Sequence, residues 1–222
     1  MRKFQLFIKR AFDLVVSIIL LLVLIAIPVM IVVPIIIKLT SKGPAIFTQE
    51  RSGKDGKVFK IYKFRTMRIP EDSLDENGNL LEPKQRITRV GAFLRKTSID
   101  ELAQLFNIIN GTMSFVGPRP TLPYQAERYN DRQKKRHDMR PGITGWAQVN
   151  GRNNLTWSEK LEYDVEYIEK FSLWFDIKIM FKTVAVVFKQ DGIAFTKDDA
   201  INAKEPKVET PKTDSTEEKV NQ

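Results

Sequence analysis

Two adjacent acids, Asp100 and Glu101, stand where a carboxylate could be put to work. Arg95 precedes Asp100 by five residues, and Arg119 follows downstream between Pro118 and Pro120. A carboxylate among such cations can attack an electrophile, hold a hard divalent cation or exchange a proton. Other chemistries fall away. The 222 residues contain no cysteine, which removes disulfides, thiolate metal sites and a Cys nucleophile. The single histidine, His137, follows Lys134-Lys135-Arg136 and reads as solvated, so neither a Ser-His-Asp triad nor a poly-His metal site fits. Acid–base and nucleophilic work is left to carboxylates, with Tyr, Ser and Lys as weaker candidates.

A short amphipathic helix must carry the two acids. Ser98 and Glu101 have capping-box spacing, which makes Ile99 the first helical residue and puts Asp100 in the first turn. There the macrodipole favours an ionised carboxylate. Leu102, Leu105, Phe106 and Ile109 form one apolar face, and Asn110-Gly111 ends the helix. From spacing alone, Asp-Glu in a first turn does no more than stabilise a helix. Residues 87–95 read as a helical approach to it.

Upstream, residues 45–49 and 58–67 are β-prone and flank the turn Ser52-Gly53-Lys54-Asp55-Gly56-Lys57, which predicts a β-hairpin. Its second strand interleaves Lys63 and Arg65 with aromatics. They are either solvated cations of an ordinary strand or phosphate ligands, with Arg able to bind bidentately. Residues 71–83 read as a polar surface loop. Downstream, Arg119 is aimed by its flanking prolines. A second turn-rich loop carries Arg140 and, after Trp146, Arg152, with glycines that permit a backbone to approach a ligand. Thr156 and Glu159 open a helix reaching about Lys170. A strongly apolar helix covers 173–189, with Trp174 suited to a headgroup region. Beyond about Thr196 the chain is polar and reads as disordered.

The net charge is +9, and residues 1–68 hold thirteen Lys or Arg against Asp13, Glu50 and Asp55. Residues 14–37 lack any charge, and a straight helix of that length extends roughly 36 Å, enough to span a bilayer. The run is too long for a cleaved signal peptide and no small-residue cleavage site follows it. The basic residues therefore speak for anionic lipid and pyrophosphate rather than nucleic acid. Arg2, Lys3, Lys9 and Arg10 before the run and Lys38, Lys42, Arg51 and Lys54 after it ask both ends to stay on one side. Pro28 and Pro34 interrupt it. Together these predict a re-entrant hairpin, a plain bitopic helix being the alternative.

Arg95, Asp100-Glu101, Ser114-Phe115-Val116-Gly117-Pro118-Arg119-Pro120 and Arg140-Pro141-Gly142-Ile143-Thr144-Gly145-Trp146-Ala147-Gln148, in this order, resemble the bacterial sugar transferase family. These are small monotopic phosphoglycosyl transferases, and the resemblance runs from about Arg10 to about Gly192. It implies transfer of a phosphosugar from a UDP-sugar to polyprenyl (undecaprenyl) phosphate at the cytoplasmic face of the inner membrane. UMP is released in this first membrane step of a surface glycan pathway. It implies Asp100 as nucleophile of a covalent aspartyl-phosphosugar intermediate, Asp100 and Glu101 as Mg²⁺ ligands, and Glu101 as a proton acceptor in an alternative role. It also implies Lys63, Arg65, Arg95, Arg119, Arg140 and Arg152 as substrate-binding residues. Members commonly break the membrane helix at Ser-Pro, where this chain has Ile27-Pro28. A homo-oligomer and contacts with downstream glycosyltransferases are compatible partners. The expected fold is α+β. A re-entrant membrane helix (1–40) precedes a mainly helical catalytic domain (41–195) with a β-hairpin and interfacial helices, and a polar tail (196–222) follows. Two other classes remain: a glycosyltransferase that moves only the sugar, for which the chain is short, and a non-catalytic membrane-surface module.

Overall fold

The computed structural model describes residues 2–151 and 154–189. Arg152 and the 196–222 tail lie outside them, and so does the end of the 41–195 segment. The chain opens with helices α1 (Arg2–Ala26) and α2 (Val29–Thr40), bent by 60° at the break between them. The break falls at Ile27-Pro28, where proline has no amide to donate and its carbonyl instead accepts from Ile31 and Val32. Pro34 does not interrupt the chain as the sequence suggested; α2 runs through it. One missing amide bond is tolerated because the flanking Ile and Val pack, with Ile37, Met30 and Val33 joining Phe64, Leu94 and Ile99 in one cluster. Among the described residues no single helix is long and apolar enough to cross a membrane, whereas the bent pair together meets that length and composition.

Antiparallel strands β1 (Ile46–Ser52) and β2 (Val58–Phe64) form the expected hairpin, with Gln49 opposite Ile61. Then come α3 (Pro83–Arg86), α4 (Arg89–Lys96), a 3₁₀ segment (Ile99–Gln104) and α5 (Leu105–Ile109). Strand β3 (Ser114–Val116) is followed by α6 (Pro123–Ala126), α7 (Asp131–Lys134) and β4 (Gly142–Thr144). The last helices are α8 (Trp146–Asn150), α9 (Trp157–Glu169) and α10 (Leu173–Lys189). The fold is mixed and mostly helical, with two small sheets. The sequence missed the second, a parallel pairing of β3 with β4. Three-residue strands carry too little alternation to be read from sequence.

Gly142 and Gly145 of the turn-rich loop admit a close approach of backbone. A Cβ at Gly142 would stand 2.1 Å from Gly117 N, and one at Gly145 2.2 Å from Gly117 O. Both loops are thereby pressed together behind Arg119. Helix α9 begins with the expected capping box, Thr156 Oγ1 accepting from Glu159 N and Glu159 Oε2 from Thr156 N.

The first half of α1 is bound into the domain. Lys9 Nζ lies 2.6 Å from Asp176 Oδ2, both buried, and the Tyr167 hydroxyl donates to the other oxygen of Asp176. Arg10 donates to the carbonyls of Ile108 and Ile109, and Asp13 accepts from Phe115 N. Cations on the last carbonyls of α5 suit the negative end of a helix. Within the domain, buried Asn107 sews α5 to β2 by accepting from Tyr62 N and donating to Lys60 O. Lys9→Met should cost about 3 kcal/mol in chemical denaturation, because Asp176 is left as an uncompensated buried acid. The double variant Lys9→Met/Asp176→Leu should regain most of it.

Candidate active site

Asp100 and Glu101 sit at a corner, and the corner is built differently from the expected cap. Ser98 adopts a left-handed conformation (φ 57°, ψ 16°) and its hydroxyl caps nothing. Glu101 does not reach back to Ser98, and the turn that follows is 3₁₀. The reason is competition: Glu101 Oε1 receives Lys63 Nζ at 2.8 Å and lies 3.5 Å from Arg119 Nη2. Two cations, at 2.8 and 3.5 Å, outweigh one backbone amide as partners for the carboxylate. The left-handed residue turns the chain from the end of α4 into the 3₁₀ segment, placing both acids against β2.

Each cation has its own mount. Lys63 projects from β2. Arg95, in the last turn of α4, donates from Nε to Thr66 Oγ1 at 2.8 Å. Helix α4 lies close to the chain leaving β2, since a Cβ at Gly91 would meet Thr66 O at 1.9 Å. Arg119 is 55% exposed on its side chain and belongs to a loop held from beneath. Arg136, which sequence reasoning passed over, donates to Arg119 O, Thr121 Oγ1, the Tyr129 hydroxyl and Asp164 Oδ2, all in the interior. His137 beside it is not solvated; its ring packs on Tyr129 at 5.7 Å. Burial, with the neighbouring Arg136 charge, pushes its pKa down to about 4. Nothing in the run Lys134-Lys135-Arg136-His137 distinguished the buried cation from the solvated ones.

The two acids are held in opposite electrostatic states. Burial pushes the Asp100 carboxyl (8% exposed) above its ordinary value, against the pull of Lys63, with Glu101 adding to the rise and Arg95 and Arg119 opposing it. The expected helix-terminus effect does not win: a 3₁₀ turn offers little dipole, and desolvation dominates. For Glu101 burial also works upward, but the charges of Lys63 and Arg119 overcome it and hold the pKa at about 2.

Lys63, Arg95 and Arg119 thus converge on the acid pair. Arg65 goes elsewhere: it donates to Ser41 O and Oγ at the end of α2, and burial lowers its pKa. Arg140 donates to Gly111 O beyond the C-terminal end of α5. For a divalent cation, no group of three or more His, Cys, Asp or Glu gathers among the described residues. A hard cation fits on Asp100 and the remaining Glu101 oxygen only with substrate oxygens and water completing its shell, a mode magnesium favours.

The structure thus joins a mostly helical domain, with a buried carboxylate corner ringed by cations, to a bent apolar helix pair. The bacterial sugar transferase family profile matches residues 4–190, and the chain belongs to that family. It is 44% identical over 189 residues to the uncharacterized sugar transferase EpsL of Bacillus subtilis (85% of this chain, 91% of that protein). It is 44% identical over 186 residues to the UDP-glucose:undecaprenyl-phosphate glucose-1-phosphate transferase of Escherichia coli (80% and 39%). Over 205 residues it is 42% identical to the undecaprenyl-phosphate galactose phosphotransferase of Salmonella typhimurium (84% and 41%). The chain therefore spans most of the first relative and about two-fifths of the other two.

The opposed shifts predict opposed stabilities in chelator-treated protein. Glu101→Gln should destabilise by about 1–3 kcal/mol at neutral pH, leaving Lys63 unpaired. Because its folded pKa is depressed, that contribution is complete above the ordinary 4.5 and disappears as pH falls through about 2. Asp100→Asn should raise Tm at neutral pH by removing a buried charge. Its folded pKa is raised, so the gain should vanish below the ordinary 3.8. Thermal melts across pH check both.

Proposed function

We propose that the chain is an enzyme that transfers a phosphosugar from a UDP-sugar to polyprenyl phosphate and releases UMP; one relative is named for glucose-1-phosphate transfer between UDP-glucose and undecaprenyl phosphate, and another as an undecaprenyl-phosphate galactose phosphotransferase. The observation that carries the reading is the buried Asp100 beside Lys63, Arg95 and Arg119, with Glu101 held as an anion. A carboxylate attacking phosphorus must approach a dianionic diphosphate, and this requires converging cations.

In the proposed sequence, a carboxylate oxygen of Asp100 attacks the phosphorus that bears the sugar. The bond from that phosphorus to the bridging oxygen breaks, and UMP departs with the electron pair. An oxygen of polyprenyl phosphate then attacks the aspartyl-phosphosugar, forming the lipid diphosphate sugar and returning Asp100 as a carboxylate. Lys63 and Arg119 orient Glu101 and face the donor's charge, while Arg95 screens the nucleophile. Asp100 and Glu101 would hold Mg²⁺, which supplies neutralisation of phosphate charge when bound. Burial of Asp100 excludes water that would hydrolyse the intermediate.

The acceptor is a lipid, and the bent helix pair suits it. Phe4, Phe7, Val15, Leu22, Ile31 and Leu39 expose apolar surface along α1 and α2, and Trp174 and Phe181 do so on α10. The proposed arrangement is a re-entrant pair, with the N-terminus and the domain on the cytoplasmic face of the membrane.

Two experiments test these proposals. A donor labelled in the phosphate next to the sugar should label wild-type protein when acceptor is withheld, and the label should chase into lipid. Asp100→Asn should not label. UDP in place of UMP would mean glycosyl transfer, and no protein-bound label under rapid quench would leave Asp100 outside covalent chemistry. For topology, cysteines at exposed Lys3 and Lys54 should both resist an impermeant thiol reagent added to intact cells. Labelling at Lys3 alone would mean that the pair crosses the membrane.

A further inference from the structure

Arg51, near the end of β1, is a cation that the site described above does not use. Its Nη2 donates to Gln49 Oε1 at 2.6 Å, while its Nε is buried with no partner among the described residues. Helix α6 packs on β1, and there the Tyr124 hydroxyl is also buried without a partner. Ser52 N donates to Thr121 O at 2.8 Å, drawing the Arg119 loop against the same end of the strand. Arg51 and Arg119 are thereby brought close as like charges. With burial the larger cause and Arg119 the next, the Arg51 pKa falls to about 10. The nearest acid to Arg119, Glu101, is already shared with Lys63.

Buried donors with nothing to donate to are costly, and two cations that share one carboxylate with Lys63, or none, repel each other. One anion carrying several acceptor oxygens answers Arg51 Nε, the Tyr124 hydroxyl and the guanidinium of Arg119 together. We propose that Arg51, Tyr124 and Arg119 form a subsite for the phosphate on the nucleotide side of the donor, the one that leaves as a nucleoside monophosphate. Arg119 then stands between two phosphates, facing Glu101 and the reacting phosphorus on one side and Arg51 on the other. Lipid phosphate is the other source of the same chemistry. Strand rise places Arg51 roughly 17 Å from Ile46, close to where the chain leaves α2, and this favours the water-soluble substrate. The assignment rests on the phosphosugar-transfer reading and extends it to a residue outside the Asp100 centre.

The test uses the full chain in detergent micelles, with UMP as probe in calorimetry and as product inhibitor. Arg51→Gln should raise the Kd and Ki for UMP, and the KM for UDP-sugar, at least tenfold, leaving the KM for polyprenyl phosphate within twofold. Tyr124→Phe should show the same pattern at about threefold, and it keeps the test decisive if Arg51→Gln fails to fold. Arg132→Gln, removing an exposed cation paired with Glu162 and Glu169, should change neither constant. Unaltered UMP affinity in folded Arg51→Gln and Tyr124→Phe, with wild type still releasing UMP, overturns this subsite alone. A rise confined to the KM for polyprenyl phosphate overturns it in favour of the lipid. UMP binding that depends on Arg51 in a wild type that turns over no UDP-sugar supports the subsite and sinks the transfer reading.

Discussion

Everything at the acid corner follows from the contact between Glu101 and Lys63. It ties the 3₁₀ turn to β2, so the corner and the hairpin become one unit. Lys63 neutralises one carboxylate at contact distance and acts on the other through space. With Glu101 locked as an anion, its neighbour Asp100 is desolvated next to a fixed negative charge and a fixed set of positive ones. Two adjacent residues of nearly identical chemistry thereby differ in readiness to hold a proton.

The cations could not serve this corner if they wandered. Arg95 is held by Thr66, and the backbone under Arg119 is held by Arg136, whose guanidinium is spent inside on Asp164, Thr121 and Tyr129. A buried ion pair is weak evidence for stability; here it fixes the Arg119 loop through Asp164 Oδ2, while Asp164 Oδ1 has no partner among the described residues. The same device binds the chain's start to its end: Lys9 on α1 meets Asp176 on α10, and Tyr167 satisfies the second oxygen. The apolar pair is consequently anchored to the domain through the first half of α1 and through Met30, Val33 and Ile37 of α2.

Much of this could be read from the residues alone, because the signals were local. Hairpin strands alternate and have turn residues between them; Thr156 and Glu159 cap at fixed spacing; Leu173–Lys189 is one apolar-periodic helix; Pro28 removes an amide in a long apolar run. Long, ordered motifs around Asp100, Arg119 and Arg140 sufficed for the family, since they sample many positions at once. Local signals also misled where a distant partner competed. Ser98 and Glu101 had the spacing of a capping box, yet a lysine on a strand 38 residues away took the glutamate, and the serine turned left-handed instead.

Residue type and order thus determined on their own the family, most of the elements and the apolar pair with its break. Only the tertiary structure decided how the cations divide. Lys63, Arg95 and Arg119 turn to Asp100 and Glu101, Arg65 to Ser41 at the end of α2, and Arg140 to the end of α5. It also decided that Arg136 is interior scaffold and that Arg51 lies near enough to Arg119 to feel its charge. The physical reason is that a guanidinium has no local preference that its neighbours in sequence reveal. Its side chain is long, and the acid or carbonyl it finds depends on which backbone segments packing has brought within reach.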